Sequence, residues 1–168
     1  LPVYFLVLTI SSAGVPFPIT VMMIVAGAFA AEGDLKLWQV VTVGTAGAVA
    51  GDNIGYALGR FGGEKMLDRL GERLGGPAKL AKAREFADRW GGVGIFLSRW
   101  LITPLGPWIS ITSGLAKISW PRFLLWDIAG ELLWVLIYVS LGYYFSEYVQ
   151  TISGIAGDLS WALVGLAA

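Results

Sequence analysis

The sequence predicts an all-α integral membrane protein: transmembrane helices plus two oppositely oriented re-entrant helical hairpins, arranged like an inverted repeat. Three observations carry that expectation. Hydrophobic residues make up 56% of the 168 residues and charged residues only 14%, against roughly 25% charge in soluble domains. Charge is excluded from long tracts, since residues 1–31, 37–51, 100–116, 132–146 and 159–168 carry none. Two apolar tracts are broken by proline, at Pro16 and Pro18 and again at Pro104 and Pro107. The length fits a single polytopic domain, residues 1–168.

Taken in order, residues 1–12 read as the end of a span. Residues 13–31 hold Pro16 and Pro18 before a short apolar helix. Proline removes a backbone donor and breaks the helix ladder, and carbonyls freed in hydrocarbon must be satisfied by protein or water. This stretch is therefore predicted to turn back as the first re-entrant hairpin, with a kinked full span as the alternative. Residues 35–59 supply the roughly 20 apolar residues that a straight span needs. Residues 60–91 are predicted cytoplasmic amphipathic helices. Between 60 and 89 lie eight Lys/Arg and five Asp/Glu, and the basic excess places the block inside. The Gly75-Gly76-Pro77 stop divides it, and binding of anionic head groups is its lesser alternative. Residues 92–116 repeat the broken pattern around Pro104, Gly106 and Pro107 and form the second hairpin. Residues 121–146 and 149–168 are further spans.

A returning second hairpin keeps Lys117 and Arg122 on the side of Arg60, whereas a full crossing would put them outside. Glu32 and Asp34 form an acidic turn suited to the other side. Weak internal echoes accompany this symmetry. Ala26-Gly27 matches Ser113-Gly114, and Gly47 and Gly59 fall on Gly130 and Gly142 at one common offset. Paired broken segments in corresponding positions point to a midplane site of the transporter kind.

Composition also excludes. There is no Cys and no His, so thiolate chemistry, the usual general base and the commonest metal ligand are missing. No metal or other cofactor is expected, and no catalytic residue is assigned. Net charge is zero, which argues against a duplex-binding surface and against nucleic acid as a partner. A homo-oligomer stays open.

In so apolar a chain every ionisable residue inside a span is a functional candidate. Asp52 in GDNIGY is one, with an interfacial or ion-paired acid as the alternative. Arg99 in LSRWLITPLGP stands beside the second break, where an arginine fork and broken helix suit a phosphate or carboxylate; a salt bridge pinning the hairpin is the alternative. Thr103, Pro104 and Gly106, with Pro16 and Pro18 across the other break, would line the same substrate site. Asp127 and Glu131 are four apart and share a helix face. They are candidates for proton coupling and gating, or equally fixed partners of Arg99. Gly47, Gly51, Gly55 and Gly59 form a four-residue stripe for close helix packing. Trp100, Trp108, Trp120, Trp126 and Trp134 read as interface anchors and packing.

The segments GDNIGYALGRFGG, LSRWLITPLGP and SWPRFLLWDIAGELLWVLIYVSLGYYF together resemble the DedA family of membrane proteins, also described as the SNARE-associated or VTT domain. The resemblance covers about residues 13–146. It implies a multi-pass bacterial inner-membrane protein with two opposed re-entrant hairpins that translocates an anionic, phosphate-headed lipid. The implied lipid is undecaprenyl phosphate or a phospholipid, moved as by a flippase or scramblase, with coupling to the proton motive force. Asp52 and Arg99 fall on family positions of importance. Two positions depart from the family pattern. The first turn, Pro16-Phe17-Pro18-Ile19-Thr20, holds no acid, and Gly106-Pro107-Trp108-Ile109 holds no second arginine. The coupling acid is then either missing or moved to Glu131. An ion-coupled exporter of small solutes and a non-transporting scaffold are the rival readings. An enzyme is the least favoured.

Overall fold

The computed structural model describes residues 1–15, 17–74, 77–100 and 106–147, with side chains for all of these except 63–84, 86–88 and 100. The described residues are helical throughout: α1 (Pro2–Ser12), α2 (Ile19–Ala31), α3 (Leu37–Leu74), α4 (Pro77–Trp100), α5 (Gly106–Leu115) and α6 (Trp120–Tyr144). Pro16, Thr103, Pro104, the Gly75-Gly76 stop and the third span at 149–168 lie outside the described residues, as do the side chains of most of the basic block.

Two long helices form the frame. α3 and α6 run antiparallel, so that Gly44 lies beside Val135 while the Trp120 indole donates to Asn53 at 2.8 Å. α6 is the one helix among the described residues long and apolar enough to cross a bilayer. α3 runs unbroken past residue 60, where the onset of charge suggested a boundary between a span and separate cytoplasmic helices. Its first half is diluted by Thr42, Thr45, Asp52 and Asn53 and does not pass the same test.

The glycine stripe of α3 receives two different helices. A side chain at Gly47 or Gly51 would run into the carbonyls of Phe5 and Thr9 on α1. The Thr9 hydroxyl reinforces that contact by donating to the Gly47 carbonyl at 3.0 Å. Further along, Gly59 lies against the Ile111 carbonyl and Gly114 against the Tyr56 carbonyl, so α5 covers the second half of the stripe. Such absence of side chains is what lets backbones approach this closely. The other long helix repeats the arrangement. Gly27 of α2 lies against the Val139 carbonyl and Gly142 of α6 against the Ile24 carbonyl, while Gly130 admits Phe96 and the stem of Arg99 from α4.

These contacts build two helical hairpins that open at opposite ends of the frame. The first consists of α1 and α2, and the interruption between them falls within 13–31, ahead of the short apolar helix α2. Residues 2–12 form its first limb. The second consists of the last turns of α4 and α5. Gly91 separates those turns from the amphipathic part of α4, at φ 53 and ψ −129, a conformation that glycine adopts without steric cost. The hairpin tips meet in the middle of the frame, where a Cβ on Gly14 would stand 3.7 Å from Pro107.

Two apolar clusters flank that meeting point. Tyr4, Leu8, Met23, Val40 and Val139 pack at one end, and Tyr56, Ile95, Trp108, Ile109 and Phe123 at the other. Trp108 and Trp134 are buried members of these cores, while Trp120 is exposed.

Gly59→Ala should cost about 1–3 kcal/mol, because a backbone carbonyl cannot yield to the new methyl. Gly55→Ala should cost less, because its nearest neighbour is the Ser110 Cβ at 3.2 Å. Thermal unfolding of the two detergent-solubilised variants checks the order, and equal melting of both with the parent would contradict this packing.

Candidate functional site

Between the two apolar clusters lies a layer of buried charge. Arg99 is 3% exposed, Asp52 1%, Asp127 0% and Glu131 4%. The sequence singled out these four residues separately, on α3, α4 and α6, and the fold brings all four together. Arg99 Nη1 reaches Asp52 Oδ1 at 2.9 Å, Nη2 reaches Asp127 Oδ1 at 2.6 Å, and Nε faces Glu131 Oε1 at 3.5 Å.

The three pairs are not equivalent. The Asp52 contact is a well-aligned hydrogen bond, and the Ser110 hydroxyl braces it by donating to Asp52 Oδ1 at 2.9 Å while accepting from Arg99 Nη2 at 3.0 Å. Arg99 Nη1 also donates to the Gly106 carbonyl at 3.3 Å. The Asp127 and Glu131 contacts are ion pairs without hydrogen-bond alignment, and Arg99 Nε, both Asp127 oxygens and Glu131 Oε2 form no hydrogen bond. Asp52 is thus the best-aligned partner of Arg99, Asp127 makes the shortest contact, and Glu131 stands farthest off.

Charge does not balance here. One guanidinium faces three carboxylates whose oxygens lie within 4.8 Å of one another. Charges taken out of water are expensive unless paired, so this layer depends on Arg99, and protons or a cation can relieve its excess of acid.

A cavity of about 370 Å³ adjoins the cluster. Arg99, Asp52, Glu131, Ser98, Gly106 and Pro107 form its polar side and Val15, Phe17, Ile19 and Trp134 its apolar side. The first hairpin contributes Ser11, Ser12 and Thr20. Pro18 is exposed at the start of α2 and does not line the cavity. Asp127 lies deeper, behind Arg99. The apolar face of the guanidinium stands 6.0 Å from the Phe123 ring centroid, and Phe123 in turn stacks on Tyr56.

The VTT domain model matches residues 17–144, a stretch that contains all four charged residues. The chain belongs to the DedA family. This DedA-family chain is 32% identical to an uncharacterized membrane protein of Synechocystis over 96% of its length and 74% of that protein's. It is 29% identical to Protein DedA of Escherichia coli K12 over 86% of its length and 65% of the relative's. An uncharacterized membrane protein of Mycobacterium tuberculosis is 34% identical over 76% of this chain and 61% of its own. The chain thus spans between 61% and 74% of the length of these relatives. No solved structure matches it. As a DedA-family member with a bilayer-length apolar helix, it is a membrane protein.

Ser110 and Trp134 belong to the site; Ser110 did not stand out in the sequence, and Trp134 was read as packing. Ser110 carries a weak signal, being one of three hydroxyl residues, with Thr112 and Ser113, in an otherwise apolar ten-residue helix.

Arg99→Ala strands three buried carboxylates and should cost about 3–5 kcal/mol of stability. Adding Asp127→Asn and Glu131→Gln should recover part of that loss, and Ser110→Ala alone should cost about 1–3 kcal/mol. Melting temperatures in detergent check this pattern. A neutralising pair that worsens Arg99→Ala would show that the carboxylates are not held by the arginine.

Proposed function

We propose that this DedA-family protein moves an anionic, phosphate-headed lipid across the bilayer and couples that movement to protons at the Arg99 cluster. The observation that carries the reading is the unequal grip of Arg99 on its three acids beside a cavity at the junction of two opposed hairpins. Both hairpins are read as re-entrant and as halves of an inverted repeat. The reciprocal contacts of Gly27 with α6 and of Gly114 with α3 support that reading. Multi-pass insertion in the bacterial inner membrane follows from it, with Arg60 at the cytoplasmic end.

The chemistry is an exchange of partners. A phosphate entering the cavity offers oxygens to the guanidinium, and Glu131, which lines the cavity and stands farthest from Arg99, is the partner it displaces. Arginine donors suit phosphate in a bidentate fork. Asp52, clamped by Ser110, keeps the guanidinium in place. A displaced carboxylate in this dry layer has no cation to face, so it takes up a proton. Anion binding and proton uptake are then one event, and release of the head group returns the carboxylate to Arg99 and frees the proton. No covalent step is needed, and no enzymatic role is assigned.

Cavity size limits what enters. A volume of about 370 Å³ is at the low end of small-ligand sites, enough for a head group and not for a long hydrocarbon tail. The tail stays in the bilayer, and the lipid is undecaprenyl phosphate or a phospholipid. Access alternates as one hairpin tip moves against the other.

Proteoliposomes carrying a fluorescent phosphate-headed lipid should show protein-dependent flipping that responds to a pH gradient. Glu131→Gln should lower the rate roughly tenfold, the equivalent of one charge-assisted contact, and abolish the response to the gradient. Movement of a soluble solute with no lipid flipping, or no movement by folded protein, would overturn the lipid reading in favour of solute export or a scaffold.

A further inference from the structure

A second cavity, of about 370 Å³, lies where α3 leaves the frame beside the start of α6. We infer that it binds the phosphate head group of an anionic membrane lipid, with Arg60 as the charged contact. The Arg99 cluster contributes no wall to it, so this assignment does not depend on the transport reading.

The wall is electropositive. Among the described residues Arg60 is its one charged residue. Arg60 is exposed and forms no ion pair among the described residues. Lys117 and Arg122 flank the α6 side of the cavity in sequence, and both are exposed. Among the described residues no carboxylate lines the space.

Much of the wall is also preset. The Trp120 indole donates to Asn53 Oδ1 at 2.8 Å, and Asn53 Nδ2 donates to the Val49 carbonyl at 2.8 Å. The Tyr56 hydroxyl donates to the Ile118 carbonyl. These bonds fix three side chains and leave two donors without a partner among the described residues, the Arg60 guanidinium and the Ser119 hydroxyl, which caps no backbone group of α6. Two uncommitted donors beside a vacant volume suit a phosphate.

The surroundings choose the lipid over a soluble anion. Phe61 and Trp120, both in the wall, are exposed large aromatics, and the cavity lies at the first residue of the bilayer-length helix α6. Aromatic side chains at that level are characteristic of the membrane interface. An acyl glycerol would cover them while its phosphate faced Arg60, whereas free phosphate would leave them bare. Attraction of basic residues to anionic lipid at the membrane surface works in the same direction.

The test titrates the full chain in detergent with short-chain phosphatidylglycerol, with short-chain phosphatidylcholine and with inorganic phosphate, following tryptophan emission. Trp120→Phe identifies the part of the signal that reports this cavity. Phosphatidylglycerol should give a saturable change that phosphatidylcholine does not. Arg60→Gln should weaken it about tenfold, and Arg60→Lys should restore most of it. Arg60 is exposed, so these variants should melt with the parent. An equal response to phosphatidylcholine, or an unchanged affinity in Arg60→Gln, overturns the proposal. A full response to inorganic phosphate alone overturns the lipid as its source.

Discussion

A guanidinium buried against three carboxylates cannot be tolerated by one helix alone. Burial of an unpaired charge costs several kcal/mol, so the helices that carry the partners must arrive together. Asp52 comes from α3, Arg99 from α4, and Asp127 and Glu131 from α6, while Ser110 of α5 ties the first pair down. The cluster therefore couples both long helices to the second hairpin, and its cavity couples them to the first. Either neutralising or stranding one member changes the balance for all of them.

Glycine packing determines where that layer can form. The stripe on α3 accepts α1 on one half and α5 on the other, and the change-over falls beside Asp52. The result is a polar cavity between two apolar clusters. That distribution suits a protein whose middle must exchange partners while its frame stays rigid.

Much of the site was legible in the sequence for a simple physical reason. Ionisable residues are so costly in an apolar chain that Asp52, Arg99, Asp127 and Glu131 stood out individually, and their long-range pairing is the part that spacing does not encode. The hierarchy among the acids was not legible, because it depends on Ser110, one small hydroxyl among several. The first hairpin was half legible. Its prolines marked a break, but α1 is too apolar for the sequence to show which side faces the frame. At residue 60 charge begins while α3 continues from the frame into the basic block, so the onset of charge does not mark a helix end.

The account rests on Arg99 exchanging a carboxylate for a phosphate with uptake of a proton. The most direct measurement is the number of protons taken up when the detergent-solubilised protein binds a phosphate-headed lipid, followed with a pH-sensitive dye in weak buffer. Proton uptake that accompanies binding and is lost in Asp127→Asn with Glu131→Gln is the predicted result. Saturable binding with no proton uptake, or uptake unchanged in that variant, would contradict it.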